Sequence, residues 1–240
     1  MLGCWDKDDA IKSIKGITKE NDEFMLEEHL WCTNVIPRWN STESTMIVIA
    51  GSLNNTKKQS GTLTSVRFGI TNFEYLGNKF RKYPNGGGSL DILSLKLSDK
   101  TVEIHQVQDH KAIMESVKAQ RSIDVTSEAV ITISSIGDLE TVTSLVDTMC
   151  KLLSLARGTK INWIYYDCYD SLGNKSLSFH KNRVVWRYAG LPLIDPRNPN
   201  ETAAFIEQAY PSYLSQQDKY SLEKCVEVYL DAKREGVYLE

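Results

Sequence analysis

From residue 139 to residue 156 the chain carries a stripe that only a helix can present on one side. Leu139, Val142, Leu145, Val146, Met149, Leu152, Leu153 and Ala156 recur at steps of three and four, the repeat of a helix with one apolar face. Asp138 stands where an N-cap belongs and Gly158 where a C′ glycine belongs, and Lys151 and Arg157 favour the negative end of the helix dipole. A stripe this wide needs a broad apolar partner, and the runs around it supply one. Residues 45–51, 62–70, 90–97, 101–107 and 128–134 are strand-length and rich in Val, Ile, Thr and aromatic residues. In 90–97, Leu93, Leu95 and Leu97 alternate with Ser94 and Lys96, as a strand with one wet face requires. Ser98-Asp99-Lys100 is then a tight connection, so 90–97 and 101–107 are expected to form a hairpin.

Residues 54–61 and 84–89 read as loops between strands. Residues 160–170 and 177–188 read as a long hairpin closed by 171–175. Residues 1–40 show no clean period, and 23–31 suits either a short helix or a strand. A helix between strands argues against a pure sandwich, and the lack of βαβ alternation argues against a doubly wound sheet. The expected class is α+β: a β-rich antiparallel body with one long packed helix, a late hairpin and a helical C-terminal tail. Residues 1–190 form the expected β-rich domain. Residues 191–200, with three of the six prolines, form a joint, and 201–240 a helical tail with helices at 202–209 and 212–235. Three large residues, Val237, Tyr238 and Leu239, stand among the last four. They suggest that the tail begins a helical domain cut short at residue 240, the alternative being a short tail docked on the body.

Apolar residues make up 41% of the chain and charged residues 25%, with a formal net charge of −3. This balance excludes a disordered tail, a collagen-like repeat and a wholesale basic nucleic-acid binder. The acidic N-terminus, with no apolar core behind it, is unlike a signal peptide. No run approaches the roughly 18–20 apolar residues of a membrane span. Five scattered cysteines (Cys4, Cys32, Cys150, Cys168, Cys225) read as free thiols of a cytoplasmic protein. Sequons at Asn40, Asn54, Asn174 and Asn200 are then coincidental.

Motifs for chemistry are missing. His29-Leu-Trp-Cys32 has a ligand-like spacing but no second pair, and His105 and His110 have no partner motif, so no metal site is expected. No GxSxG or SxxK occurs. Pro84-Asn-Gly-Gly-Gly-Ser89 lacks the GK[ST] ending of a phosphate loop. Asp167 and Asp170, three apart on a strand, point to opposite faces and do not converge for acid/base work. No catalytic residue and no cofactor is assigned.

The anomaly is local charge. Residues 151–190 hold seven basic side chains against Asp167 and Asp170, a balance of +5, between two segments of −4 each. The same window carries Trp163, Tyr165, Tyr166, Tyr169, Phe179, Trp186 and Tyr188. Cations interleaved with flat rings suit single-stranded nucleic acid. The candidate binding residues are Lys160, Trp163, Lys181, Arg183 and Arg187, the last three on a solvent-facing side of 177–188. The competing reading is a wet cationic face backed by an aromatic core face, as on any half-buried strand.

Residues Lys151-Leu-Leu-Ser-Leu-Ala-Arg-Gly-Thr-Lys-Ile-Asn-Trp163 resemble the region that precedes the helical domain in HEPN-domain-containing proteins, the ApeA-like abortive-infection group in particular. The resemblance spans about residues 130–235. It implies a sensing or substrate-presenting domain in antiviral defence, with RNA cleavage performed by the HEPN part. Nucleases of that kind use an Arg and a His separated by four to six residues, and here no Arg precedes a His at that spacing. The expected function is therefore a non-catalytic recognition module, the N-terminal part of a larger defence-type protein. Its expected partners are single-stranded nucleic acid or a helical C-terminal domain, and no membrane. The alternatives are a small cytoplasmic enzyme, such as a nuclease or transferase, and a structural or oligomerisation protein.

Overall fold

A computed structural model describes residues 13–17, 23–27, 31–37, 44–49, 52–56, 62–82, 86–120, 122–181 and 192–234. The strands are β1 (Ser13–Ile17), β2 (Glu23–Glu27), β3 (Trp31–Pro37), β4 (Ser44–Ile49), β5 (Ser52–Thr56), β6 (Leu63–Thr71), β7 (Lys79–Lys82), β8 (Gly88–Leu97) and β9 (Lys100–Gln106). Helix α1 (His110–Gln120), β10 (Val125–Thr132), α2 (Leu139–Arg157), β11 (Trp163–Asp170), β12 (Lys175–Lys181), α3 (Pro199–Tyr220) and α4 (Leu222–Arg234) follow. Ten strands form one sheet in the order β1-β2-β5-β12-β11-β6-β10-β9-β8-β7, and β3 pairs with β4 separately. Every pairing among the described strands is antiparallel. The fold is α+β.

The apolar alternation of the strands decides which face the helices cover. Leu93, Ile104, Ala129, Phe68, Tyr166 and Phe179 are successive cross-strand partners from β8 to β12. They join the core with Val142, Val146, Met149 and Leu153 of α2, all fully buried. At this site Phe68 meets Trp163 edge-on at 5.3 Å. Gly158 ends α2 in the left-handed conformation, φ 62°, and its N–H reaches the Leu155 carbonyl at 3.3 Å, as a C′ glycine does.

Asp138 is the N-cap residue of α2, but its side chain makes no cap hydrogen bond to that helix. Its carboxylate accepts the main-chain N–H groups of Ser134 (2.8 Å) and Ser135 (3.1 Å), tying down the short 3₁₀ turn Ile136–Asp138. The helical tail also breaks in a different place. α3 runs on through Pro211, and the interruption falls at Ser221, whose φ is 49°. Residues 23–27 are a strand, and Asn54 and Asn55, expected in a loop, lie in β5.

The Pro-rich segment is held against the body. The last carbonyls of a helix lack intrahelical donors, and the Ala156 carbonyl takes the N–H groups of both Leu193 (3.0 Å) and Ile194 (3.1 Å). Leu76 N–H bonds to the Pro196 carbonyl at 2.8 Å. Ala203, Ile206, Tyr210 and Tyr213 of α3 and Val226 and Leu230 of α4 are part of the same core as the sheet. Arg157, 3% exposed, fastens this junction from inside: Nε donates to the Glu74 carbonyl (2.9 Å), and its other nitrogens donate to the Ile194 carbonyl (2.7 Å) and Thr202 Oγ1 (3.0 Å). No helix among the described residues is long and apolar enough to cross a membrane.

Candidate functional site

The sheet places the two sides of the β11–β12 hairpin in different surroundings. On the helix-covered side lie Trp163, Tyr166 and Phe179. Trp163 is 2% exposed, and its indole N–H donates to Asp147 Oδ1 of α2 at 2.8 Å. Lys181 lies on this side too, its ammonium 3.1 Å from the centre of the Trp163 ring and 4.0 Å from Asp147. The expectation that Lys181 faces solvent is corrected here. Alternation groups it with Leu177 and Phe179, and that side is the one packed under α2.

The structure thus unites Trp163 and Lys181, but as a half-buried contact beneath α2. Lys160 is half-buried in the connection between α2 and β11. Arg183 and Arg187 lie outside the described residues, as do Trp186 and Tyr188. Other cations of the basic window have structural partners: Lys151 pairs with Glu223 at 2.9 Å and Lys175 with Asp167 at 3.2 Å, and Arg157 is buried.

The opposite, outer side of the sheet carries a different constellation. His105, Glu128, Gly69, Tyr165 and His180 stand directly opposite one another on β9, β10, β6, β11 and β12. Gly69 is what lets this row close up. A Cβ there would fall 2.2 Å from Cε1 of Tyr165, so the missing side chain leaves the tyrosine ring room to cross β6. Its hydroxyl then donates to Glu128 Oε1 at 2.9 Å. His180, exposed, has its ring 5.6 Å from that of Tyr165. One register step away, the exposed Arg67 guanidinium lies 4.7 Å from the centre of the Tyr169 ring. Asp167 accepts from Ser178 Oγ at 2.6 Å. Burial, followed by the bond to Glu128, pushes the Tyr165 hydroxyl well above its ordinary range, so it stays a donor.

Toward the β7 edge, Arg81 donates to His105 Nδ1 at 3.1 Å. A guanidinium only donates, which leaves the neutral His105 proton on Nε2, 3.4 Å from Glu103. Glu103 is in turn bonded to Lys79. His110 Nδ1 faces the Thr126 carbonyl at 2.7 Å and must be its donor. Burial lowers the pKa of both histidines from 6.5, and Arg81 adds to the effect at His105. Below about pH 6.5 the unfolded chain therefore binds protons that the folded chain resists, and stability falls. Urea midpoints are expected to drop from pH 7 to pH 5, and the drop shrinks in the double variant His105→Gln, His110→Gln. An unchanged drop would assign it to other groups.

Among the described residues the polar partners of His105 and His110 are a guanidinium, a carboxylate and a carbonyl, with no hydroxyl or thiol to activate. Among the described residues no group of three His, Cys, Asp or Glu could hold a metal ion. Cys150 and Cys168 are buried free thiols and Cys225 an exposed one. Burial, then Asp167, pushes the Cys168 thiol up to about 12, far from a reactive thiolate. The arrangement is suited to contact and stacking.

Arg67, Gly69, Glu128 and His180 were not singled out in the sequence, because only strand pairing brings them together. The alternation of Tyr165, Asp167 and Tyr169 was the one visible sign of a ring-bearing face. Neither the family models, nor the curated proteins, nor the solved structures include a match to this chain.

Proposed function

We propose that this chain is a non-catalytic recognition module that binds single-stranded nucleic acid on the outer side of its sheet. The supporting observation is the platform of Tyr165 over Gly69, with His180 beside it and Arg67 against Tyr169. Rings laid on an antiparallel sheet offer π-faces to unstacked bases, and an arginine plane can do the same. Charge on this surface is mixed, with Arg67 and Lys175 beside Glu128 and Asp167, so base stacking carries more of the binding than phosphate neutralisation. The resemblance of Lys151–Trp163 supports placing the module in a larger defence-type protein, beside a helical HEPN-type domain. The scattered free thiols support a cytoplasmic setting.

Fluorescence anisotropy with labelled single-stranded RNA and DNA tests the reading. Tyr165→Ala is expected to weaken binding about five- to 150-fold, the worth of one stacked base at roughly 1–3 kcal/mol. Lys175→Ala, which removes one phosphate contact at most, changes the log–log salt slope by no more than about 0.7. Wild-type protein that binds neither oligonucleotide at low salt would overturn the proposal.

A further inference from the structure

The helix-covered side of the hairpin contains a second constellation, independent of the outer platform. Between the first half of α2 and β11–β12 lies a cleft of about 490 Å³ whose lining includes Trp163, Tyr166 and Phe179. The rings pack on one another: Tyr166 and Phe179 stack at 5.2 Å, and Trp163 is tilted against both, at 5.8 Å from Tyr166 and 6.0 Å from Phe179. Asp147 and Glu140 of α2 add carboxylates to the lining. An indole face with acidic neighbours attracts cations, through the ring quadrupole and through direct charge. The protein itself shows this preference, because the one ammonium among the described lining residues, that of Lys181, sits 3.1 Å from the Trp163 ring centre.

From this geometry we infer that the cleft is a binding site for an organic ammonium group, such as a methylated lysine side chain or a quaternary amine, and that Lys181 is its built-in occupant. A methylated ammonium is more weakly hydrated than Lys181 and loses less on leaving water, yet offers the rings the same charge. An incoming ligand takes the seat over Trp163 and moves the Lys181 side chain aside. Asp147 is fixed for this role by the Trp163 indole N–H at 2.8 Å, which holds one carboxylate oxygen beside the ring.

The test is a titration of the full chain with tetramethylammonium chloride, with sodium chloride at matched ionic strength as control, read from the indole N–H resonance of Trp163. A saturable shift is expected with tetramethylammonium alone. Lys181→Met, which removes the competing charge and keeps an unbranched side chain, should tighten binding roughly three- to thirtyfold, the range of a partly desolvated cation–π contact. Asp147→Asn keeps the oxygen that accepts the indole N–H and removes the charge, so it should weaken binding. That variant supplies the answer if Lys181→Met fails to fold. Tyr165→Ala, on the other side of the sheet, should leave the titration unchanged, which separates this site from the nucleic-acid platform. The inference is overturned if wild type shows no saturable shift, if sodium reproduces it, or if neither Lys181→Met nor Asp147→Asn alters the affinity.

Discussion

Arg157→Ala is expected to destabilise the protein by about 3–5 kcal/mol. The substitution leaves the Glu74 and Ile194 carbonyls, inside the junction, without their charged donor. Each buried acceptor left unmade costs roughly 1–3 kcal/mol, and the vacated volume adds a cavity term. Truncation also removes the guanidinium from its position 5.5 Å from the Phe73 ring centre. Arg157→Lys should recover only part of the loss, because a single ammonium cannot point at two carbonyls and the Thr202 hydroxyl in the fork geometry that arginine provides. Urea unfolding of the three proteins at pH 7 measures the differences. A loss below about 1 kcal/mol in Arg157→Ala would mean that the junction of α2, residues 192–198 and α3 holds without it.

Phe68→Ala should cost a similar amount, about 3–5 kcal/mol, for a different reason. Phe68 is fully buried on the central strand β6, between Ala129 of β10 and Tyr166 of β11. Its ring touches Trp163 edge-on and lies 5.5 Å from Tyr166. The small Ala129 beside it has no reach to refill the space, so a cavity persists. Phe68→Leu keeps most of the volume and should lose clearly less than the alanine variant. Leu145→Ala and Leu152→Ala on the α2 stripe fall in the range of about 2–5 kcal/mol for buried leucines. Chemical denaturation of this series checks the order, and a Phe68→Ala loss no larger than that of Phe68→Leu would show that the core collapses around the gap.

The leucines of the α2 stripe were legible in the sequence, and the reason is local. The α2 stripe is written in one continuous stretch, and the β8–β9 hairpin is written in alternating leucines around Ser98 and Asp99. Elements that borrow their stability from neighbours were not legible. Asn54 and Asn55 carry a turn composition, yet β5 forms because β2 and β12 bond to it on both sides. Pro211 looks like a helix stop, yet α3 continues because Ile206, Tyr210 and Tyr213 are buried in the core on both sides of it. Lys181 was assigned to water because it is charged, although its alternation partners Leu177 and Phe179 already marked the packed side. The outer platform was hidden for a topological reason: Gly69 and Glu128 are separated from each other and from the Tyr165–His180 hairpin by dozens of residues and join it only through strand pairing.

The strand order also sets a timetable for synthesis. β6 sits between β10 and β11, and its end is tied to them by bonds such as Phe73 N–H to Thr126 Oγ1, across 53 residues, and Thr71 Oγ1 to the Asn162 carbonyl, across 91 residues. At the usual pace of about 5–20 residues per second, the ribosome takes roughly 5–20 seconds to supply the second of these partners. Through that interval Val66, Phe68 and Ile70 have no native strand on the β11 side. A nascent chain in this state exposes an apolar strand edge, which is the kind of surface that chaperones bind and that aggregates recruit. Yield of the native protein in cells is therefore set by how that waiting strand is protected, as well as by the stability of the finished sheet.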